Sequence, residues 1–164
     1  MLLQHSLQHV KDQNALANEW FGTTSDRVDC LFNVIKHNNA ELLRVLTSDL
    51  KTPVDVKDET GASVMHQAAK HGSNLMIYML AEMGCNVNAE DNKANTPLHT
   101  AVRNNQVTSA NFLASLGASL LAQDCNGKTV LHMSVEANNI RICKDMCLKG
   151  ADRNLKDSEG RTAE

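Results

Sequence analysis

The stretch that decides the fold is DNKANTPLHTAV at residues 91–102, because the chain repeats it. Residues 58–69 read DETGASVMHQAA and residues 124–135 read DCNGKTVLHMSV, so the three copies begin 33 residues apart. A shorter copy, DSEGRTA, begins another 33 residues on, at Asp157. A period of this length, held through three full copies, predicts a stack of similar units and not a single globule.

Each unit has the pattern of two short helices. Thr96 before Pro97 is a cap residue followed by proline at the first helical position. An apolar stripe with helical spacing follows, at Leu98, Ala101 and Val102. Small side chains recur at one position of this helix and let neighbouring helices approach: Ala68, Ala101 and Ser134. A glycine suited to a left-handed cap ends each second helix: Gly84, Gly117 and Gly150.

These units resemble the ankyrin repeat. Residues 96–101, TPLHTA, nearly reproduce the family's T-P-L-H-x-A motif, and residues 63–68 and 129–134 are degraded copies of it. The segments GCNVN at 84–88 and GADRN at 150–154 resemble the family's G-A-D-x-N turn. The resemblance covers about residues 25–164. It implies an all-α fold, an ankyrin-repeat solenoid of stacked helix–turn–helix units with β-turn connections.

The period also divides the chain into segments. Full ankyrin repeats are expected at 58–90, 91–123 and 124–156, and the start of a truncated further repeat at 157–164. Residues 25–57 are expected to form a degenerate N-terminal capping repeat, because residues 31–38 mirror 65–72 while the first turn is missing. Because the sequence stops inside a repeat, we expect it to be part of a longer chain; the alternative is a solenoid capped by the stub or by a partner.

Residues 1–24 do not fit the repeat and form an N-terminal extension. Leu3, Leu7 and Val10 have helical spacing, and Trp20 and Phe21 are the densest aromatic spot of the chain. Two roles stay open for this extension: it packs onto the first repeat, or it binds a partner.

The composition excludes several classes of protein. Aromatic residues make up 3% of the chain, which argues against an aromatic-lined cofactor pocket or a base-stacking surface. The net charge of −3 argues against a nucleic-acid partner, and no apolar run approaches the roughly 20 residues that insertion into a membrane requires. The N-terminus has no secretory signal and the five cysteines have no CxxC pair, so we expect an intracellular protein, cytoplasmic or nuclear, with reduced thiols.

No catalytic, cofactor-binding or metal-binding residues are predicted, and the chain is not expected to be an enzyme or to need a cofactor. It lacks the G-x-S-x-G, G-x-x-x-x-G-K-[ST] and H-E-x-x-H motifs. Three histidines share one position of the repeat, but helices packed about 8–10 Å apart keep them from sharing one ion. The resemblance implies that these histidines tie turns together: His66, His99 and His132. An aspartate that bonds nearby backbone N–H groups opens each turn: Asp58, Asp91, Asp124 and Asp157.

Two positions carry further expectations. Asn88 fits the asparagine that ties down the turn in ankyrin proteins and that is a target of asparaginyl hydroxylation, so it is the candidate for that modification. Asp145 occupies a position that is usually apolar, and a buried unpaired carboxylate is unfavourable. We therefore expect Asp145 to be exposed or to pair with Arg141 or Lys149, four residues to either side.

The resemblance places a partner on the concave face, formed by the turn tips and the outward positions of the first helices. The predicted partner-binding residues are Glu59, Thr60, Gln67, Lys70, His71, Asn92, Lys93, Asn95, Arg103, Asn104, Asn126, Lys128, Met133 and Glu136. With Glu90 and Lys156 included, this face has five basic and three acidic residues. That balance suggests an acidic or mixed peptide, although a solvated charged surface would look the same.

The resemblance therefore implies a protein–protein interaction module that binds a protein or peptide partner. Two alternatives stay open. The chain could be a regulatory ankyrin segment of a larger enzyme or channel whose activity is encoded beyond residue 164, or a stand-alone ankyrin inhibitor of a transcription factor. The sequence does not indicate an oligomeric state.

Overall fold

The computed structural model describes residues 24–49 and 52–163, so the expectations for residues 1–23, Trp20 and Phe21 among them, lie outside the described part. Eight helices form in the described ranges. They are α1 (Thr24–Lys36), α2 (Ala40–Arg44, continued by a π-helical turn at Val45–Asp49), α3 (Val64–His71), α4 (Asn74–Glu82), α5 (Pro97–Arg103), α6 (Val107–Ser115), α7 (Val130–Glu136) and α8 (Ile140–Leu148). These ranges contain no extended strand; one isolated antiparallel bridge joins Lys57 and Ser63.

The helices stack in two rows. The first helices of the units, α1, α3, α5 and α7, form an inner row in which each helix packs on the next. In the outer row, α4 packs on α6 and α6 on α8. The prediction of an all-α repeat solenoid is confirmed, with one helix pair in each predicted unit; the boundaries between the units stay a prediction.

The core runs between the two rows and is built from aliphatic side chains. Leu98 and Ala101 are fully buried, as the apolar stripe on α5 predicts. The small residues Ala68 and Ser134 are also fully buried, and they let the inner helices approach closely. Thin layers of this kind are filled by leucine, methionine and alanine, which explains why the chain needs so few aromatic rings.

The helix ends follow the sequence signals. Thr96 caps α5 with Pro97 at its first position, and the hydroxyl of Thr96 accepts from the amide N–H of His99 at 3.5 Å. Left-handed residues reverse the chain between the two helices of a unit: Asn38, Gly72, Asn105 and Asn138. Asparagine tolerates this conformation better than most residues, so the turn survives without glycine. The glycines that end the second helices have φ of 84°, 89° and 95°: Gly84, Gly117 and Gly150.

Asp145 is half-buried and paired, but the predicted partners were wrong. Its carboxylate accepts a hydrogen bond from the side-chain amide of Asn111 at 2.5 Å. Asn111 lies on α6 of the preceding unit, and Arg141 and Lys149 form no ion pair with Asp145 among the described residues. Sequence spacing identifies neighbours within one helix, whereas this contact depends on how α6 packs against α8.

Candidate partner-binding face

Each turn is closed by the aspartate that opens it. The Oδ1 atom of Asp91 accepts from the backbone N–H groups of Lys93 and Asn95, both at 2.8 Å. The same pair of bonds is formed by Asp58, Asp124 and Asp157. Burial alone would raise the pKa of Asp157, but hydrogen bonds from Arg161 and Glu159 hold it lower, at about 2. The four carboxylates therefore hold the turns in shape.

The three repeated histidines join consecutive units. The Nε2 atom of His66 bonds the carbonyl oxygen of Asn95 at 2.9 Å. His99 bonds the carbonyl of Lys128 at 3.2 Å, and His132 bonds that of Arg161 at 3.0 Å. These bonds confirm that the histidines tie the turns together, as the resemblance implies. The three side chains therefore have a structural role.

Backbone hydrogen bonds also join the tips of the turns. The N–H of Asn92 donates to the carbonyl of Thr60 at 3.0 Å. The N–H of Cys125 donates to Lys93 at 2.9 Å, and that of Ser158 donates to Asn126 at 2.9 Å. The tips thus form one continuous surface, which we call the turn ridge (residues 58–60, 91–93, 124–126 and 157–159). Because these bonds join the tips, the backbone positions from which the ridge side chains extend are fixed relative to one another.

A groove of about 770 Å³ opens beside the first turn of the ridge, and we call it the first groove. It lies between α1 and α3. Five of the predicted partner-binding residues line it: Glu59, Thr60, Gln67, Lys70 and His71. Helix α1 supplies the opposite wall: Val28, Asp29, Phe32, Asn33 and Lys36.

Sequence reasoning missed the α1 wall. The sequence does indicate it, because residues 31–38 mirror residues 65–72. Asn33 is therefore equivalent to Gln67, and Lys36 is equivalent to Lys70. Helix α1 lacks the turn that precedes the inner helix of each full repeat, so the repeat motif does not mark this half of the groove.

A second groove, of about 310 Å³, lies beside the third turn. It contains five more of the predicted residues: Arg103, Asn126, Lys128, Met133 and Glu136. Lys128 and Glu136 form an ion pair at 2.6 Å. Arg103 donates to the side-chain oxygen of Asn95 at 2.7 Å, and this bond fixes the guanidinium at the rim.

The structure places most of the predicted face at the surface. Asn92, Lys93 and Asn104 lie exposed between the two grooves. Asn95 is the correction: it is 1% exposed, and its side-chain amide bonds both oxygens of Asp91 at 3.0 Å. It therefore positions Arg103 and does not itself present a side chain to a partner. Met133 is 9% exposed and lies in the second groove.

Basic groups meet at one end of the first groove. Burial lowers the pKa of His71, and the charges of Lys70, Lys36 and His37 lower it further. The lowered pKa favours the neutral imidazole of His71, so the positive charge there comes mainly from the lysines. Lys36 and Lys70 line the same groove as His71, so the C-terminal turns of α1 and α3 lie close together.

Asn88 lies at an exposed turn and its side chain is engaged by the next unit. Its Oδ1 atom accepts from the N–H of Ser119 at 2.7 Å, and its Nδ2 atom donates to the carbonyl of Gly117 at 3.4 Å. These two bonds hold the amide group of Asn88 against the next unit. Hydroxylation of Asn88 stays a prediction.

Across residues 24–49 and 52–163, no group of three or more His, Cys, Asp or Glu side chains is arranged to hold a metal ion. In the same ranges, no helix combines the length and apolar character that crossing a membrane demands.

The comparisons with known proteins agree with this geometry. The family model described as ankyrin repeats in three copies matches residues 31–124, which is more than half of the chain. The model of the single ankyrin repeat matches residues 126–158. A search of curated proteins finds no match.

Proposed function

The chain belongs to the ankyrin-repeat family, and we propose that it binds a protein or peptide partner on the turn ridge and the two grooves beside it. Ankyrin repeats are generally protein–protein interaction modules. The observation that carries the proposal is the position of the grooves. Ten of the fourteen predicted partner-binding residues line one groove or the other, on the same side of the inner helices.

A binding role also suits the chemistry of this face. The histidines and aspartates that could act as acids or bases are held in hydrogen bonds that maintain the turns and join the units. The face presents exposed amides and charges instead, which suit recognition. We therefore assign it no catalytic role.

The charges favour an acidic partner. Lys36, Lys70 and Lys93 are exposed, and none of them takes part in an ion pair of the described residues. The negative charge of Glu136, in contrast, is compensated by Lys128 at 2.6 Å. A carboxylate-bearing segment would thus find unpaired cations along this face.

Charge reversal tests the proposed face. The variant combining Lys93→Glu, Arg103→Glu and Lys128→Glu should lose partners that the unchanged protein retains in a pull-down from native lysate, because all three side chains lie on the ridge or at the groove rims. The matched control reverses Arg44, Lys144 and Lys149, which lie exposed on or beside the outer helices. Circular dichroism checks that both variants fold.

Two results would count against the proposed face. One is an unchanged set of partners after reversal on the ridge, and the other is an equal loss in the control. The identity of the partners that the unchanged protein retains distinguishes the two alternative roles. A transcription factor among them would favour an inhibitor, and its absence would favour a regulatory segment of a larger enzyme or channel.

A further inference from the structure

Equivalent positions in the last turn of the inner helices carry a row of positive charges. Lys36 ends α1, Lys70 lies in the last turn of α3, and Arg103 ends α5. All three residues are exposed. We call these three residues the cation row.

The row is held in place by the packing. Lys36 and Lys70 line the same groove, so their helices present them to one space. The amide of Gln106 donates to the backbone carbonyl of Lys70 at 3.3 Å, which ties α3 to the next unit. Arg103 is fixed by its bond to Asn95 at 2.7 Å.

The row ends at α7, where the equivalent residue is Glu136. Glu136 reverses the sign of the charge, and Lys128 neutralises it. A ligand that follows the row from α1 therefore meets cations in three consecutive units and not in the fourth.

The spacing of the row identifies the shape of the ligand. Packed helices lie about 8–10 Å apart, so the three cations repeat at about that interval. A peptide in the polyproline II conformation has three residues per turn and rises about 3.1 Å per residue, so every third side chain lies on the same side, about 9 Å further on. Building on the proposed function, we propose that the cation row binds an acidic segment in polyproline II conformation, with carboxylates at positions i, i+3 and i+6 opposite Lys36, Lys70 and Arg103.

A peptide fits this surface better than a nucleic acid. A nucleic acid carries a negative charge on every phosphate and so cannot avoid Asp29 and Glu59 in the first groove, whereas a peptide with spaced carboxylates can place uncharged residues opposite them. Binding of single strands also relies on exposed aromatic rings for stacking. The aromatic side chains of the described part are Phe32, which is half-buried, Tyr78 on the outer helix α4, and Phe112 on α6.

Peptides of equal composition test the spacing. Two short glycine–serine peptides, each with three aspartates, are titrated into ¹⁵N-labelled full-length protein at low ionic strength. One has the aspartates at i, i+3 and i+6, and the other has them adjacent. We expect the spaced peptide to bind about tenfold more tightly, with shifts at the amides of residues 36, 70 and 103, because each exposed ion pair contributes up to about fivefold.

Variants locate the contacts. Lys36→Gln, Lys70→Gln and Arg103→Gln should each weaken the spaced peptide about two- to fivefold. Lys144→Gln, on the outer helix α8, is the matched control and should change nothing. Glu136→Lys extends the row to a fourth unit, so it should strengthen a peptide with a fourth aspartate at i+9 more than one with the fourth aspartate adjacent to the third.

The outcomes separate this inference from the proposed function. Equal affinity for both spacings, or no binding of either peptide, would overturn the cation-row assignment, while partner loss after charge reversal on the ridge would still support a protein-binding face. Tighter binding of an oligothymidylate than of the spaced peptide would overturn it in favour of a nucleic-acid ligand.

Discussion

Among single residues, the repeated histidines carry the most structural information. Nδ1 of His99 accepts a hydrogen bond from the backbone N–H of Thr96 at 3.2 Å. In the neutral ring the proton therefore lies on Nε2, which donates to the backbone carbonyl of Lys128. One ring therefore joins the start of its own helix to the turn of the next unit. Protonation would place an N–H at Nδ1 against the Thr96 N–H. Burial is the main cause that lowers the pKa of His99.

We predict that this histidine makes stability sensitive to mild acid. The pKa of His99 is lower in the folded protein than the value of about 6.5 in an unfolded chain. Below that value the unfolded chain gains a proton that the folded one resists, so the free energy of unfolding should fall as the pH drops from neutral towards 5. His99→Gln should lose about 1–3 kcal/mol at pH 7.5 by removing the inter-unit bond, and less at pH 5.

Urea unfolding of both proteins at the two pH values measures this. The contributions of titrating groups that both proteins share cancel when the free energy of unfolding of His99→Gln is subtracted from that of the unchanged protein. A deficit of the same size at both pH values would show that His99 does not titrate in this way.

Among the elements, the turns show where the sequence departs from its own repeat. The residue with positive φ at the turn tip is glycine in three of the four turns, with φ between 70° and 78° at Gly61, Gly127 and Gly160, but it is Ala94 at 57° in the second. A left-handed alanine is unfavourable by roughly 1–2 kcal/mol. The turn is retained because Asp91 and the neighbouring tips hold it with hydrogen bonds.

Ala94→Gly is therefore expected to stabilise the protein by about 0.5–1 kcal/mol, since it relieves the strain at some expense in backbone entropy. The matched change, Gly127→Ala, should destabilise the protein, and by a larger amount than Ala94→Gly stabilises it. The reason is that a Cβ at residue 127 would lie 2.8 Å from the backbone nitrogen of Ser158. Thermal unfolding followed by circular dichroism gives both values. A lower melting temperature for Ala94→Gly would refute the assignment of strain.

Across the whole molecule, each unit is stabilised mainly by its neighbours. Residues 157–163 illustrate this at one end. The carbonyl of Arg161 accepts from His132, the N–H of Ser158 donates to Asn126, and Ala163 is 6% exposed. In such a stack, stability is close to a sum of unit terms and interface terms, so a change at one end acts mostly on adjacent units.

Removing residues 157–164 should accordingly weaken the last helix pair by about 1–3 kcal/mol, through the lost hydrogen bonds and the exposed core. Hydrogen exchange should speed up in α7 and α8 and change little in α3 and α4. Uniform loss of protection in all four helices would instead show that the described units unfold as one.

The extent to which the sequence predicted this protein depends on where the information lies. Thr96, Pro97 and Leu98 act within one turn of helix, so their pattern was sufficient to predict α5 and its cap. The prediction of the partner of Asp145 was wrong because its actual partner, Asn111, lies 34 residues away on another helix. Asn95 was placed on the surface for a similar reason, since a position within the repeat does not show that Asp91 and Arg103 enclose its side chain.

By itself, the sequence determined the fold, because a period of 33 residues with caps and apolar stripes in register specifies local units that can bury their apolar faces only by stacking. It also determined which turns carry polar and charged tips. Only the tertiary structure decided the two grooves, the α1 wall of the first, and the meeting of Lys36 with Lys70. Those features arise between units. The distances between side chains of neighbouring units depend on how the helices pack, and a linear sequence pattern does not specify that packing.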